Sequence, residues 1–263
     1  PILANVFLSN KQRERYGDVV YDMSLFSLVL LIVQAAAGYV TVRFDNADWT
    51  VALHLSLASI FAAGLLWQYM SMRISEGAKW AFLSAPASFT DKHMNRMNTM
   101  AGAVGVLLVL GAWVSSSVGG QYNQSCSVGF PNGWPKCQGS FLPSPDGPGI
   151  FIQMAHRMGA VVVGLILVLG VSNLRTSAQG SKGASELTRF GEITTGLWML
   201  NIMVGGSYIV FAKIGDFPEW LSLLHLVVGV AAFLSAMFAS FSFRFARSQS
   251  TVVSVQSIGV EQE

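Results

Sequence analysis

Long apolar runs alternate with short polar breaks along the chain, and six of the runs are long enough to span a bilayer: Met23 to Val42, Val51 to Met72, Met97 to Val118, Gly149 to Val171, Ile193 to Ala212 and Leu221 to Phe241. A helix crossing about 30 Å of hydrocarbon at about 1.5 Å per residue needs about 20 residues. Helices also satisfy their own backbone there, so each run is predicted as a transmembrane helix. The expected fold is an all-α polytopic membrane protein of six transmembrane helices, the last four forming a complete four-helix bundle.

Composition agrees: 52% of residues are hydrophobic and 11% charged. No stretch between the spans is long enough for a soluble domain, and nothing points to nucleic acid. The polar N-terminal segment lacks the apolar core of a secretory signal. The expected organisation is an N-terminal segment (1–22), a hairpin (23–72), a loop (73–96), a four-helix repeat (97–242) containing a long loop (115–148), and a polar tail (243–263).

Basic residues set the expected orientation. Lys11, Arg13 and Arg15 precede the first span, Arg73, Lys79, Lys92 and Arg96 follow the second, Arg175, Lys182 and Arg189 follow the fourth, and Arg244 and Arg247 follow the sixth. The opposite loops carry Arg43, Lys136 and Lys213. The positive-inside rule then puts both termini on the cytoplasmic side, or the matrix side in a mitochondrial inner membrane.

The third and fourth spans are joined by a loop rich in Gly, Pro, Ser and Asn that holds both cysteines, Cys126 and Cys137. An outer loop favours a disulfide, and "PNGWP" between the cysteines supplies turns that bring them together. Unpaired thiols and a zinc site remain weaker alternatives; no histidine lies in the loop.

Three of the four histidines, His54, His156 and His225, fall near the outer ends of the second, fourth and sixth spans. Ionisable groups in membrane helices mark functional sites by default, although a structural histidine is the alternative at any one position. Neutral imidazole binds zinc, copper or haem iron. A zinc site built from these three would need an open position or a further donor. Haem needs only two axial histidines, and His156 and His225, on helices expected to be adjacent, supply them; Arg157 and Lys213 are candidates for the propionates. The Met and Gly residues of "QMAHRMG" suit a flat ring, and equally suit helix packing. His93, in "FTDKHMNRM", reads as a solvated loop histidine. Trp49 and Trp220 read as interfacial anchors, and Gly205 and Gly206 as packing residues.

The chain also repeats itself. His54, Leu53, Trp49 and Asp45 match His225, Leu224, Trp220 and Asp216 at one constant offset, and a two-residue gap brings Tyr39 onto Tyr208. The first two spans therefore repeat as the last two, while the third and fourth have no counterpart.

The order "GAWVSSSVGG…CSVGFPNGWPKC", then "HRMGA", then "GGSYIV…W…LLHLVVG" resembles haem A synthase, the cytochrome oxidase assembly family that oxidises haem O to haem A. The resemblance covers residues 23 to 242. It implies two pseudo-symmetric four-helix halves, each with a His-Arg helix and a second histidine helix. One half holds haem b; the other hosts the substrate haem, with a carboxylate near its first histidine. On this resemblance His156 and His225 are the axial pair of the C-terminal half, Cys126 and Cys137 are its loop cysteines, and His54 is the second histidine of the N-terminal half, taken as catalytic. The first two helices of the usual eight have no match, so His54 lacks its partner.

The implied function is oxidation of the haem O methyl group to the formyl of haem A, with haem b as cofactor and haem O and haem A as substrate and product. A second copy or another membrane subunit would complete the His54 site. The expected location is a bacterial or archaeal cell membrane, or the mitochondrial inner membrane. The alternatives are a non-catalytic haem b subunit for electron transfer or assembly in a respiratory complex, and a transporter or structural protein without cofactor.

Overall fold

The computed structural model describes residues 1–115 and 125–260, with side chains through residue 249. The described residues form helices and turns, with two isolated bridges and no extended strand. Two short helices, α1 (Ile2–Lys11) and α2 (Arg13–Tyr16), precede six long ones: α3 (Asp18–Arg43), α4 (Asp48–Ser75), α5 (Ala87–Val114), α6 (Pro148–Ser177), α7 (Lys182–Val210) and α8 (Glu219–Val260). Each long helix has the length and apolarity to cross a bilayer, which makes the chain an integral membrane protein.

The helices outrun the apolar runs that predict them. Hydropathy marks the hydrocarbon-crossing part, whereas backbone hydrogen bonding continues until a capping residue stops it. Thus α5 begins at Ala87, next to its N-cap Pro86, ten residues before the run at Met97. Its last described helical residue is Val114, and the predicted end at Val118 lies outside the described residues. The N-terminal segment holds two short helices, and α8 runs on through the polar tail as far as Val260.

Helices α5 to α8 form a four-helix bundle in which α5 packs against α6 and α8, and α7 against α6 and α8. Helices α6 and α8 therefore occupy opposite corners. This corrects the expectation that the helices of His156 and His225 are adjacent. Along α8, buried Ala232, Ala236, Ala239, Phe243 and Ala246 recur every three or four residues, and the small side chains let α5 and α7 approach closely. Met97, Met100, Leu167 and Leu187 are fully buried against this seam. Outward faces stay apolar, as at Leu165, Val168 and Leu169, which suits a lipid solvent.

The α3–α4 hairpin joins the bundle through α4, which packs on α5 and α8; Trp67 stacks on Phe245. Helix α1 docks beside it through an amide pair. Asn5 Nδ2 donates to Gln68 Oε1 at 2.9 Å, and Gln68 Nε2 donates to Asn5 Oδ1 at 3.1 Å and to the Val20 carbonyl at 3.3 Å. Gln68 is buried, so these bonds satisfy an amide that would otherwise be costly inside the hairpin.

Candidate functional site

The diagonal helices α6 and α8 carry His156 and His225, whose ring centroids lie 6.4 Å apart with the ring planes at 88°. The other diagonal pair supports them with glycines. A β-carbon at Gly111 of α5 would stand 3.1 Å from His156 Cε1, and one at Gly205 of α7 would stand 2.7 Å from His225 Cε1. Each imidazole thus rests on bare backbone of a neighbouring helix. Gly205 is more than a spacer between helices, because it seats a histidine.

His225 is oriented further by its Nδ1, which donates to the Asn201 carbonyl at 3.0 Å. That bond fixes the proton on Nδ1 and leaves Nε2 as the basic nitrogen, the arrangement of a histidine ready to bind a metal.

Two imidazoles holding one iron from opposite sides need ring centroids about 6.3 Å apart, from two metal–nitrogen bonds of about 2.0 Å and ring radii of about 1.15 Å. The observed spacing fits. A second feature fits the carboxylates of a haem: Arg157 Nη2 is buried with no hydrogen-bond partner. A buried guanidinium without a counter-ion is costly in a membrane protein, and an anionic group beside it would relieve that cost. Lys213, by contrast, is exposed in a turn, where its backbone exchanges two hydrogen bonds with Asp216.

Arg157 also has a role that its sequence position does not reveal. Its Nη1 donates to the carbonyls of Gly133 and Lys136, both at 2.9 Å. These belong to the loop closed by the Cys126–Cys137 disulfide. The disulfide is buried and packs with Ile150 and Met154 at the start of α6. From the same loop, the Trp134 ring covers Gly206, where a β-carbon would lie 2.8 Å from Cε2, and the Gly129 amide donates to the Ile209 carbonyl at 3.0 Å. The loop is thus clasped to both α6 and α7 beside the histidine pair. A cavity is lined by Ser125 and Gln138 of the loop and by Asp146 and Ile150 where the chain enters α6.

His54 belongs to the other hairpin, and among the described residues no cluster of three metal-binding side chains forms. Its ring lies on Gly38 of α3, where a β-carbon would stand 3.1 Å from Cε1. All three histidines therefore share one device, an imidazole set against a glycine. The partner of His54 is the Gln34 side chain, with the two Nε2 atoms 3.2 Å apart. Sequence reasoning missed Gln34, although a single amide in the otherwise apolar stretch from Leu28 to Ala37 is the signal that would have found it.

His93 is not a solvated loop residue. It lies on α5, fully buried, with its ring against Phe89 and its Nδ1 2.6 Å from Arg96 Nη1. The charged neighbours Asp91, Lys92 and Arg96 concealed a buried stripe of Phe89, Thr90, His93, Met94 and Met97 at helical spacing.

Comparison with known proteins adds to this geometry. Residues 2–237 match a family model described as cytochrome oxidase assembly protein (COX15-CtaA). The chain is 27% identical over 144 residues to a protein named heme A synthase from Lysinibacillus sphaericus (strain C3-41), covering 54% of this chain and 42% of that one. It is 23% identical over 222 residues to a heme A synthase of Geobacillus kaustophilus (strain HTA426), and 25% identical over 224 residues to one of Geobacillus thermodenitrificans. Both alignments cover 84% of this chain and 62% of the relative, so the chain matches less than two thirds of the length of these relatives. The extent of the family match decides the matter: this chain belongs to the cytochrome oxidase assembly protein family.

Proposed function

We propose that this chain holds a haem between His156 and His225 and takes part in oxidising the methyl group of haem O to the formyl of haem A for cytochrome oxidase biogenesis. The observation that carries the reading is the 6.4 Å spacing of the two imidazole rings inside the bundle. The family membership and the heme A synthase relatives support the reaction.

Haem b, when bound, supplies one-electron redox chemistry. The chain's own residues would bind and orient it. His156 and His225 would hold the haem iron, with Asn201 orienting His225 and Gly111 and Gly205 giving the rings room. Arg157 would meet a propionate through Nη2 while Nη1 keeps the disulfide loop in place. Lys213, exposed in the turn after α7, is the second cation expected from the sequence to meet a propionate, and Arg157 is the one whose buried nitrogen supports that role. The substrate haem lies beside His54, where a second copy or another membrane subunit contributes whatever ligand this chain does not.

A second reading is a non-catalytic haem b subunit serving electron transfer or assembly in a respiratory membrane complex. The His156–His225 pair carries this reading as well, because it needs a haem in the α5–α8 bundle and nothing at His54. One experiment separates the readings: expression in a host lacking its own heme A synthase, with haem extraction. Haem A in the extract supports the enzyme; haem-loaded protein without haem A leaves the subunit, and protein without haem overturns both.

A further inference from the structure

The Gln34–His54 pair has a hydrogen-bonding surplus. Both Gln34 Oε1 and His54 Nδ1 are buried and have no partner. The Gln34 amide nitrogen can only donate, so in the arrangement observed His54 Nε2 accepts and His54 carries its proton on Nδ1. What remains is one acceptor, Gln34 Oε1, and one donor, His54 Nδ1. Turning the amide over exchanges the roles and still leaves one donor and one acceptor.

Inside an apolar hairpin this surplus is selective. A carboxylate would meet the acceptor with like charge density and an ammonium would meet the donor, whereas a hydroxyl both donates and accepts. We infer that Gln34 and His54 form a recognition site for a neutral hydroxyl on a membrane-embedded ligand, and that Gln34 is a specificity-determining residue. Gly38 helps to shape the site, since a β-carbon there would stand 3.1 Å from His54 Cε1 and crowd the ring.

The assignment of that hydroxyl rests on the proposed function. Haem O differs from haem b by a hydroxyl-bearing isoprenoid side chain in place of a vinyl group, so a hydroxyl-selective site beside the substrate position separates the two. A free isoprenoid alcohol carries the same chemistry.

The test is a titration of the purified full chain with haem O and with haem b, followed by difference absorbance, alongside binding of tritiated farnesol. Gln34→Met keeps the length of the side chain and removes its amide; Gln34→Asn keeps the amide. Gln34→Met is expected to weaken haem O binding about tenfold and to change haem b binding less than twofold, with Gln34→Asn recovering part of the loss. An unaltered spectrum from the His156–His225 haem shows that the variant is folded. Farnesol binding that falls in Gln34→Met, with haem O unaffected, keeps the hydroxyl site and assigns it to a free alcohol. Equal loss for both haems, or no loss for haem O or farnesol, overturns the inference. A wild-type chain that takes up neither haem overturns the proposed function instead, and farnesol binding alone then decides the hydroxyl site.

Discussion

The imidazole of His225 rests on the backbone of Gly205, where a β-carbon would stand 2.7 Å from Cε1. Gly205→Ala must therefore push the ring aside, together with its bond to the Asn201 carbonyl. The expected outcome is loss or displacement of the haem absorbance band. Gly102→Ala and Gly196→Ala, which meet nothing within 4 Å, are the controls. They should leave the spectrum unchanged and raise stability by about 0.5–1 kcal/mol through helix propensity.

His156→Ala and His225→Ala should each abolish the bis-histidine spectrum, because one imidazole cannot hold the iron from both sides. Unchanged absorbance in either variant would refute the axial assignment. His54→Ala should leave that spectrum intact, since His54 lies on the other hairpin.

The six spans were legible in the sequence because bilayer length and hydropathy are local properties of a run. The histidine pair was legible too, because ionisable groups stand out in apolar helices. Its diagonal placement was not, since which helices touch depends on the small-residue seam of α8 packing against α5 and α7. Helix α1 was missed for a different reason: it is short, and it docks through the distant Asn5–Gln68 pair rather than through an apolar stripe. The Arg157 contacts were illegible because they reach carbonyls more than 20 residues away, and backbone acceptors carry no sequence signature.

Gln68→Leu leaves the Asn5 side chain without its partner and removes the bond to the Val20 carbonyl. The expected cost is about 1–3 kcal/mol, concentrated on α1. Hydrogen exchange should show faster exchange across Ile2–Lys11, with α5 to α8 little affected.

Helix α2 is held near the end of α4 by a pH-sensitive contact. Tyr16 Oη donates to Glu76 Oε1 at 2.9 Å and Arg73 Nη1 donates to Glu76 Oε2 at 2.7 Å. These bonds, Tyr16 first, hold the Glu76 carboxyl below its ordinary range. A depressed carboxyl contributes stability above its unfolded value of about 4.3, and that contribution is lost as pH falls through the folded value. Cleavage at Gly17 by an acid-tolerant protease should therefore increase on acidification below about pH 4. In Glu76→Gln the step should disappear.

Reducing the Cys126–Cys137 bond, or replacing either cysteine by Ser, frees a loop whose ends are 11 residues apart. By loop entropy the cost is about 2–3 kcal/mol, to be read as a lower melting temperature.

The loop is fastened to α6 by the same guanidinium that stands next to His156. The Cys126–Cys137 bond and the Arg157 side chain are therefore one mechanical unit: a change that loosens the loop also removes the two carbonyls that hold the guanidinium in place beside His156.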